Sequence, residues 1–323
     1  VEGGQNLLIY WKPGHETMKV ISKKSMHTVF LLIVSLCLLF LGASNLNSES
    51  HRDNADKIQV VVSILPQAYF VERVGGERVD VSVMVAPGHS PATYEPGPRQ
   101  MVKLNRAKLY FRIGAPFENV WIERISKANP GLNVIDTRHG IELLPMKTYH
   151  HGIQKSVFRH GRDLKDPHIW LSLRLVKVQA KNICNALIET DPAYRAYYHE
   201  NLAMFHRDID KLDREITKTL KDLRTRKFIV FHPAWGYFAR DYGLEQIPIE
   251  VEGKEPNAGA LSDLIGYAKQ EGIKVVFVQA QFSTRNAGTV AQAIGGQIVR
   301  IDPLARDYLK NMRRIVETFR KVI

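Results

Sequence analysis

The sequence predicts an α/β protein of two Rossmann-like α/β lobes joined by a long rigid backbone helix, and three observations carry the prediction. Short β-branched runs alternate with helical stretches from Ile58 to Asp136, and again from Phe228 to Val322. Such βαβα alternation argues for largely parallel sheets covered on both faces. Between the two sets, one amphipathic stripe runs without a break. The chain of 323 residues has room for two domains, and its hydrophobic fraction of 45% is ordinary for a protein with a substantial core.

Residues 1–56 stand outside this pattern. Lys19, Lys23 and Lys24 precede an apolar run from Val29 to Leu41, and Gly42, Ala43 and Ser44 follow it. A basic region, a short apolar stretch and small residues describe a secretory signal peptide. The run is shorter than the roughly 20 residues of a spanning helix, and an uncleaved N-terminal anchor is the alternative. Both imply export to a periplasmic or other extracytoplasmic space. Cys37 would leave with the signal, so the mature chain would keep only Cys184 and no intramolecular disulfide. Val-Ser-Leu before Cys37 is a poor lipoprotein processing site.

The first lobe, residues 57–190, takes strands at Ile58–Ile64, Val79–Val85, Leu109–Ile113 and Asn133–Asp136. Ala68–Val74 and Pro98–Ala107 read as its helices. In the linking segment, residues 191–224, no proline or glycine follows Pro192. Leu202, Phe205, Ile209, Leu212, Ile216, Leu220 and Leu223 recur every three or four positions, which is one helical stripe. A single helix of some thirty residues would be about 45–50 Å long. The alternative is a hairpin broken near Asp210–Asp213, but no turn residue marks a break. The second lobe, residues 225–323, takes strands at Phe228–Phe231, Gln246–Val251, Val275–Gln279 and Gln297–Ile301. Its helices are Leu261–Gln270, Thr289–Ile294 and Leu304–Val322, with Gly272, Gly295 and Gly296 placed to end helices.

Composition narrows the function classes. Residues 1–56 carry five basic and five acidic side chains, so the formal charge of +12 belongs to the rest of the chain. The basic residues are dispersed and no nucleic-acid motif accompanies them, which with export argues against nucleic acid. The charge reads as solubility with some attraction to anionic lipid.

Histidine points to the chemistry. His89 follows the strand 79–85, His232 follows the strand 228–231, and His168 lies in Asp166-Pro167-His168-Ile169-Trp170-Leu171. Ligand sites of open α/β sheets lie beyond the carboxyl ends of strands. Asp302 ends the last strand and could reach the same crevice, or could cap the final helix. Three neutral imidazoles with a carboxylate or a water suit tetrahedral Zn²⁺. Imidazole binds metal only when neutral, so affinity should fall as the pH drops through the ordinary histidine value of roughly 6.5.

Several motifs together resemble the metal-binding solute-binding proteins of ABC transporters, in particular the zinc-uptake branch. They are Ser63-Ile64-Leu65-Pro66-Gln67, Tyr94-Glu95-Pro96, Asp166 to Leu171, Phe231-His232-Pro233-Ala234-Trp235-Gly236-Tyr237, Gly253-Lys254-Glu255-Pro256 and Ile301-Asp302-Pro303-Leu304. The resemblance runs from Ile58 to the C-terminus. It implies two lobes around a backbone helix, a metal ion in the cleft between them, and delivery to a permease with a cytoplasmic ATPase. The implied partners are that permease and the metal, with no nucleic acid. Membrane contact would run through the permease or an N-terminal anchor, and the chain would act as a monomer.

The resemblance makes His168 the second ligand and His232 the third, and matches Asp302 to the acidic position of some members. A histidine at 232 resembles the zinc type, because the manganese type tends to carry a carboxylate there; manganese and iron stay open as lesser candidates. One departure concerns the first ligand, which the family places two residues before the tyrosine. That position is Ala92 here, and His89 stands three residues earlier in the same loop. The expectation is that His89 substitutes, the alternative that it is solvated. His139, His150, His151 and His160 precede His168 and resemble a short metal-gathering loop, or are an ordinary solvated one.

Two other readings compete. A secreted zinc-dependent hydrolase would also use three histidines and a water, but no His-Glu-x-x-His pair or nucleophile elbow is present. A surface adhesin on the same scaffold is the other. No enzyme activity is expected.

Overall fold

The computed structural model describes residues 57–150, 153–156, 158–159, 162–250, 254–282 and 284–323. Residues 1–56, where the sequence suggests an export segment and Cys37 lies, and His151, His160 and Gly253 are outside the described residues. Ile58–Ile323 forms one compact unit, and none of its described helices is long and apolar enough to cross a membrane.

The first half builds a four-stranded parallel sheet from β1 (Ile58–Val62), β2 (Val79–Val83), β3 (Leu109–Arg112) and β4 (Asn133–Asp136), in the order β2-β1-β3-β4. Helices α1 (Leu65–Gly75), α2 (Pro98–Arg106) and α3 (Pro116–Ala128) connect them. Each begins with proline in its first turn, where a missing N–H costs nothing and the fixed φ suits a helix. All four expected strands are present to within two residues; α3 was not anticipated.

Two short antiparallel hairpins follow, β5 (Lys147–His150) with β6 (Ile153–Ser156) and β7 (Phe158–Arg159) with β8 (Arg162–Asp163). They occupy the histidine-bearing segment that reads as a loop in the sequence. Then come α4 (Leu173–Thr190), capped by the Ser172 hydroxyl, and α5 (Arg195–Thr219).

α5 is the predicted linking helix, and it is unbroken at Asp210–Asp213. It is shorter than expected, 25 residues or about 37 Å, because Pro192–Tyr194 forms a separate 3₁₀ turn. Its stripe is the buried face: Phe205, Ile209, Leu212 and Ile216 are essentially inaccessible, with Tyr198 ahead of them and Leu220 just beyond. It packs on α1, on α4 and on the final helix α9 (Tyr308–Val322). Ion pairs Arg73–Asp208 and Lys177–Asp210, both 2.7 Å, tie its outer face to α1 and α4.

The second half repeats the first topology. β9 (Lys227–Val230), β10 (Glu245–Pro248), β11 (Val275–Val278) and β12 (Gln297–Arg300) form a parallel sheet in the order β10-β9-β11-β12. It is linked by α6 (Gly236–Tyr242), α7 (Ala258–Gln270) and α8 (Arg285–Ala293). Gly272 and Gly295 take φ of +67° and +60° as the chain leaves α7 and α8, the left-handed stop anticipated for them. One hydrophobic cluster runs from β1 and α1 through α4 and α5 to β9, α6 and α9. The two halves therefore share a core, and a smaller cluster fills the rest of the second sheet's interior.

Candidate metal centre

In each sheet the strand order reverses between its first and third strands, β1/β3 and β9/β11. A crevice opens beyond the carboxyl ends of strands at such a switch point. His232 leaves β9 there. Gln279, just past β11, holds it in place: the His232 amide donates to Gln279 Oε1 at 3.3 Å, and Gln279 Nε2 donates to the His232 carbonyl at 2.8 Å. The Phe282 ring stacks on the imidazole, 4.8 Å between centroids with planes 19° apart.

His168 reaches the same place from the first half, on a segment clamped by the second. The Trp170 indole N–H donates to the Pro303 carbonyl at 2.8 Å, and the Tyr308 hydroxyl donates to the Trp170 carbonyl at 2.7 Å. The Tyr237 hydroxyl donates to the Asp166 carbonyl at 2.8 Å. These three bonds cross between the halves and explain why Asp-Pro-His-Ile-Trp is buried although it lies outside both sheets.

The two imidazoles meet with Nε2 atoms 3.3 Å apart. Each turns its other nitrogen to a buried carboxylate: His168 Nδ1–H donates to Asp166 Oδ1 at 2.7 Å, and His232 Nδ1–H donates to Glu250 Oε2 at 2.9 Å. In neutral rings that arrangement leaves both Nε2 atoms as lone-pair acceptors facing one space. Two such acceptors repel unless a proton or a cation lies between them. Two nitrogens bound to zinc at tetrahedral angles would be roughly 3.3–3.4 Å apart, given bonds of about 2.0–2.1 Å. The observed separation matches that edge length. Asp166 and Glu250 were given no role by the sequence. Asp166 is detectable two residues before His168, but nothing local marks Glu250, eighteen residues from its partner.

Gly236 shows how tightly this shell is built. A β-carbon there would lie 2.8 Å from Asp166 Oδ2 and 3.2 Å from Gln246 Nε2, so the glycine of His-Pro-Ala-Trp-Gly-Tyr makes room for the carboxylate that orients His168.

The space beside the pair is a cavity of about 40 Å³, lined by Ser90, Pro91, Ala115, Pro116, Trp170, Gln281, Phe282 and Leu304 among others. Organic ligands take pockets of roughly 300–1,000 Å³, whereas this one suits an ion and its inner water.

The other two expected ligands stand apart. His89 is exposed on the loop after β2, its ring 6.0 Å from that of Tyr94. Among the described residues no three His, Cys, Asp or Glu side chains converge as a metal-binding group. Asp302 is half-buried; its Oδ1 accepts the Leu304 amide at 2.9 Å, and it lines a neighbouring cavity with Gly88 and Gln281. It does not cap the final helix, whose N-cap is Asp307. Cys184 is buried elsewhere, in α4, where burial pushes its thiol up to about 11 despite the opposing charge of Arg195.

The family model of ZnuA, zinc-uptake complex component A, periplasmic, matches residues 60–322. A high-affinity zinc uptake system protein ZnuA of Bacillus subtilis is 28% identical over 273 residues, covering 83% of this chain and 85% of its own length. A zinc-binding protein AdcA of Streptococcus pyogenes is 26% identical over 313 residues, a match that spans 60% of that longer protein. A solved crystal structure of ZnuA superposes with a TM-score of 0.76 at 43% identity, covering 83% of this chain and 99% of the other. The chain belongs to the ZnuA family of periplasmic zinc-uptake components.

Proposed function

We propose that this protein captures a zinc ion between His168 Nε2 and His232 Nε2 and delivers it to an ABC permease driven by a cytoplasmic ATPase. The observation that supports the ion site most directly is the pair of Nε2 atoms 3.3 Å apart, each ring anchored through Nδ1 to a buried carboxylate. Zinc is cargo here, so the site must hold it without reacting. Metal-ligating histidines oriented by carboxylates are held in one tautomer with raised basicity, and a small cavity lined mostly by apolar side chains limits the water that can compete for the ion. His89 and Asp302 stand apart from the pair on the loops after β2 and β12, and would join it only if those loops fold inward around the ion. Export by the N-terminal segment, action as a monomer and membrane contact through the permease belong to the same reading.

Calorimetry on the chelator-stripped protein tests it. One zinc per chain should bind, more tightly than manganese, and His168→Ala or His232→Ala should each weaken binding at least 100-fold. His89→Ala reads whether the loop after β2 contributes. Wild-type protein with no tight site for either metal would sink the reading.

A further inference from the structure

The separation of the two Nε2 atoms fits two corners of a tetrahedron, and His89 is exposed outside the cavity beside them. Four polar side chains line the cavity: His168, His232, Ser90 and Gln281. The Ser90 hydroxyl oxygen is engaged, accepting the Ala92 amide at 3.2 Å. Gln281 differs. Its Oε1 is buried and has no hydrogen-bond partner among the described residues. A buried carbonyl oxygen without a donor is costly, and such an atom needs an explanation. Gln281 also lines the adjoining cavity that Asp302 borders, so it stands between the histidine pair and the sequence's expected acidic ligand.

Its backbone position is secured by its neighbours. The Phe282 amide donates to the Gln279 carbonyl at 3.3 Å, closing a turn around residue 281. Gln279 holds the His232 backbone and Phe282 stacks on the His232 ring. The turn that carries Gln281 thus moves with the imidazole.

We infer that Gln281 is a metal ligand, its amide oxygen supplying the third protein donor to an ion held by His168 and His232. This rests on the zinc-capture reading above. Amide oxygens are competent donors to divalent ions, and a lone oxygen lacking a donor is what a cation would satisfy. With two imidazoles and an amide, every donor is neutral, and the bound ion keeps its full charge inside the cleft. Such a site binds less tightly than one with a carboxylate in the same place, and a permease can empty it more readily.

The test uses the full chain, stripped of metal, with zinc affinity read against a chromophoric chelator and the coordination read from the visible spectrum of the cobalt(II) form. Gln281→Ala should weaken zinc binding at least 10-fold and alter the cobalt spectrum, while Gln281→Glu, of nearly the same shape, should tighten it at least 10-fold. Thermal melting of each metal-free variant checks the fold. If Gln281→Ala proves unfolded, Gln281→Glu alone decides, and an unchanged affinity and cobalt spectrum in it overturn the assignment. Tight wild-type binding left within twofold by Gln281→Ala overturns the Gln281 assignment while sparing the zinc reading. A wild-type protein that binds no zinc overturns both.

Discussion

Asp166 and Glu250 stand behind the two imidazoles, and each decides which nitrogen its histidine presents. Asp166 accepts both the His168 amide at 2.9 Å and its Nδ1–H at 2.7 Å, fixing backbone and ring with one oxygen. Glu250 does the same for the His232 ring alone. Outer carboxylates of this kind typically contribute 10–100-fold to metal affinity. Asp166→Asn and Glu250→Gln should each lower zinc affinity by roughly that factor with one zinc still bound. Asp166→Asn should be the more damaging, because it also loosens the His168 backbone. Affinities equal to wild type in both variants would mean that the rings are oriented by packing on Trp170 and Phe282 instead.

Among the elements, the hairpins β5–β8 are the ones whose part in the site is open to direct trial. Their base is closed by its own pairing. The Met146 amide donates to the Leu164 carbonyl at 2.6 Å, Pro145 and Lys165 form a bridge, and the Asp166 amide donates to the Leu144 carbonyl at 2.8 Å. The two ends of the segment therefore already meet beside His168. Replacing residues 147–163 with a short glycine linker should leave the 1:1 zinc stoichiometry and the affinity of the histidine pair unchanged. A loss of binding would show that the hairpins shape the cleft, and a fall in the rate of zinc uptake alone would assign them to gathering metal.

For the whole molecule, the shared core is the governing fact. α5 buries its stripe against helices from both halves, and the core cluster is continuous across them. A packed helix of 25 residues is a stiff connector, so opening of the cleft should involve its loops more than a swing of the lobes. The same continuity predicts one cooperative thermal transition rather than one per lobe, checked by agreement of calorimetric and van't Hoff enthalpies. Zinc at a thousandfold excess over its dissociation constant should stabilise that transition by about 4 kcal/mol. Two resolved transitions, with zinc moving only one, would show that the halves unfold independently.

The linear pattern of residues carried the alternation of strands and helices, the parallel order that such alternation requires, and the identity of α5. Each of these follows from local periodicity and from which side chains can be buried on one face. It also placed His232 beyond the carboxyl end of a strand, which is a topological address, and did the same for His89, while His168 stood out only through its motif. It overextended α5 because no proline or glycine marks its start after Pro192 and the apolar spacing runs on past Thr219, whereas backbone geometry sets both ends. It missed α3, the 18-residue α4 and α6, the last only seven residues long. Only the tertiary structure decided that His168 and His232 meet at 3.3 Å while His89 stays in solvent. It alone joined Glu250 and Gln281 to the site. Those contacts depend on how two sheets and a clamped segment are oriented about a shared core, and convergence of side chains distant in sequence leaves no trace in any local pattern.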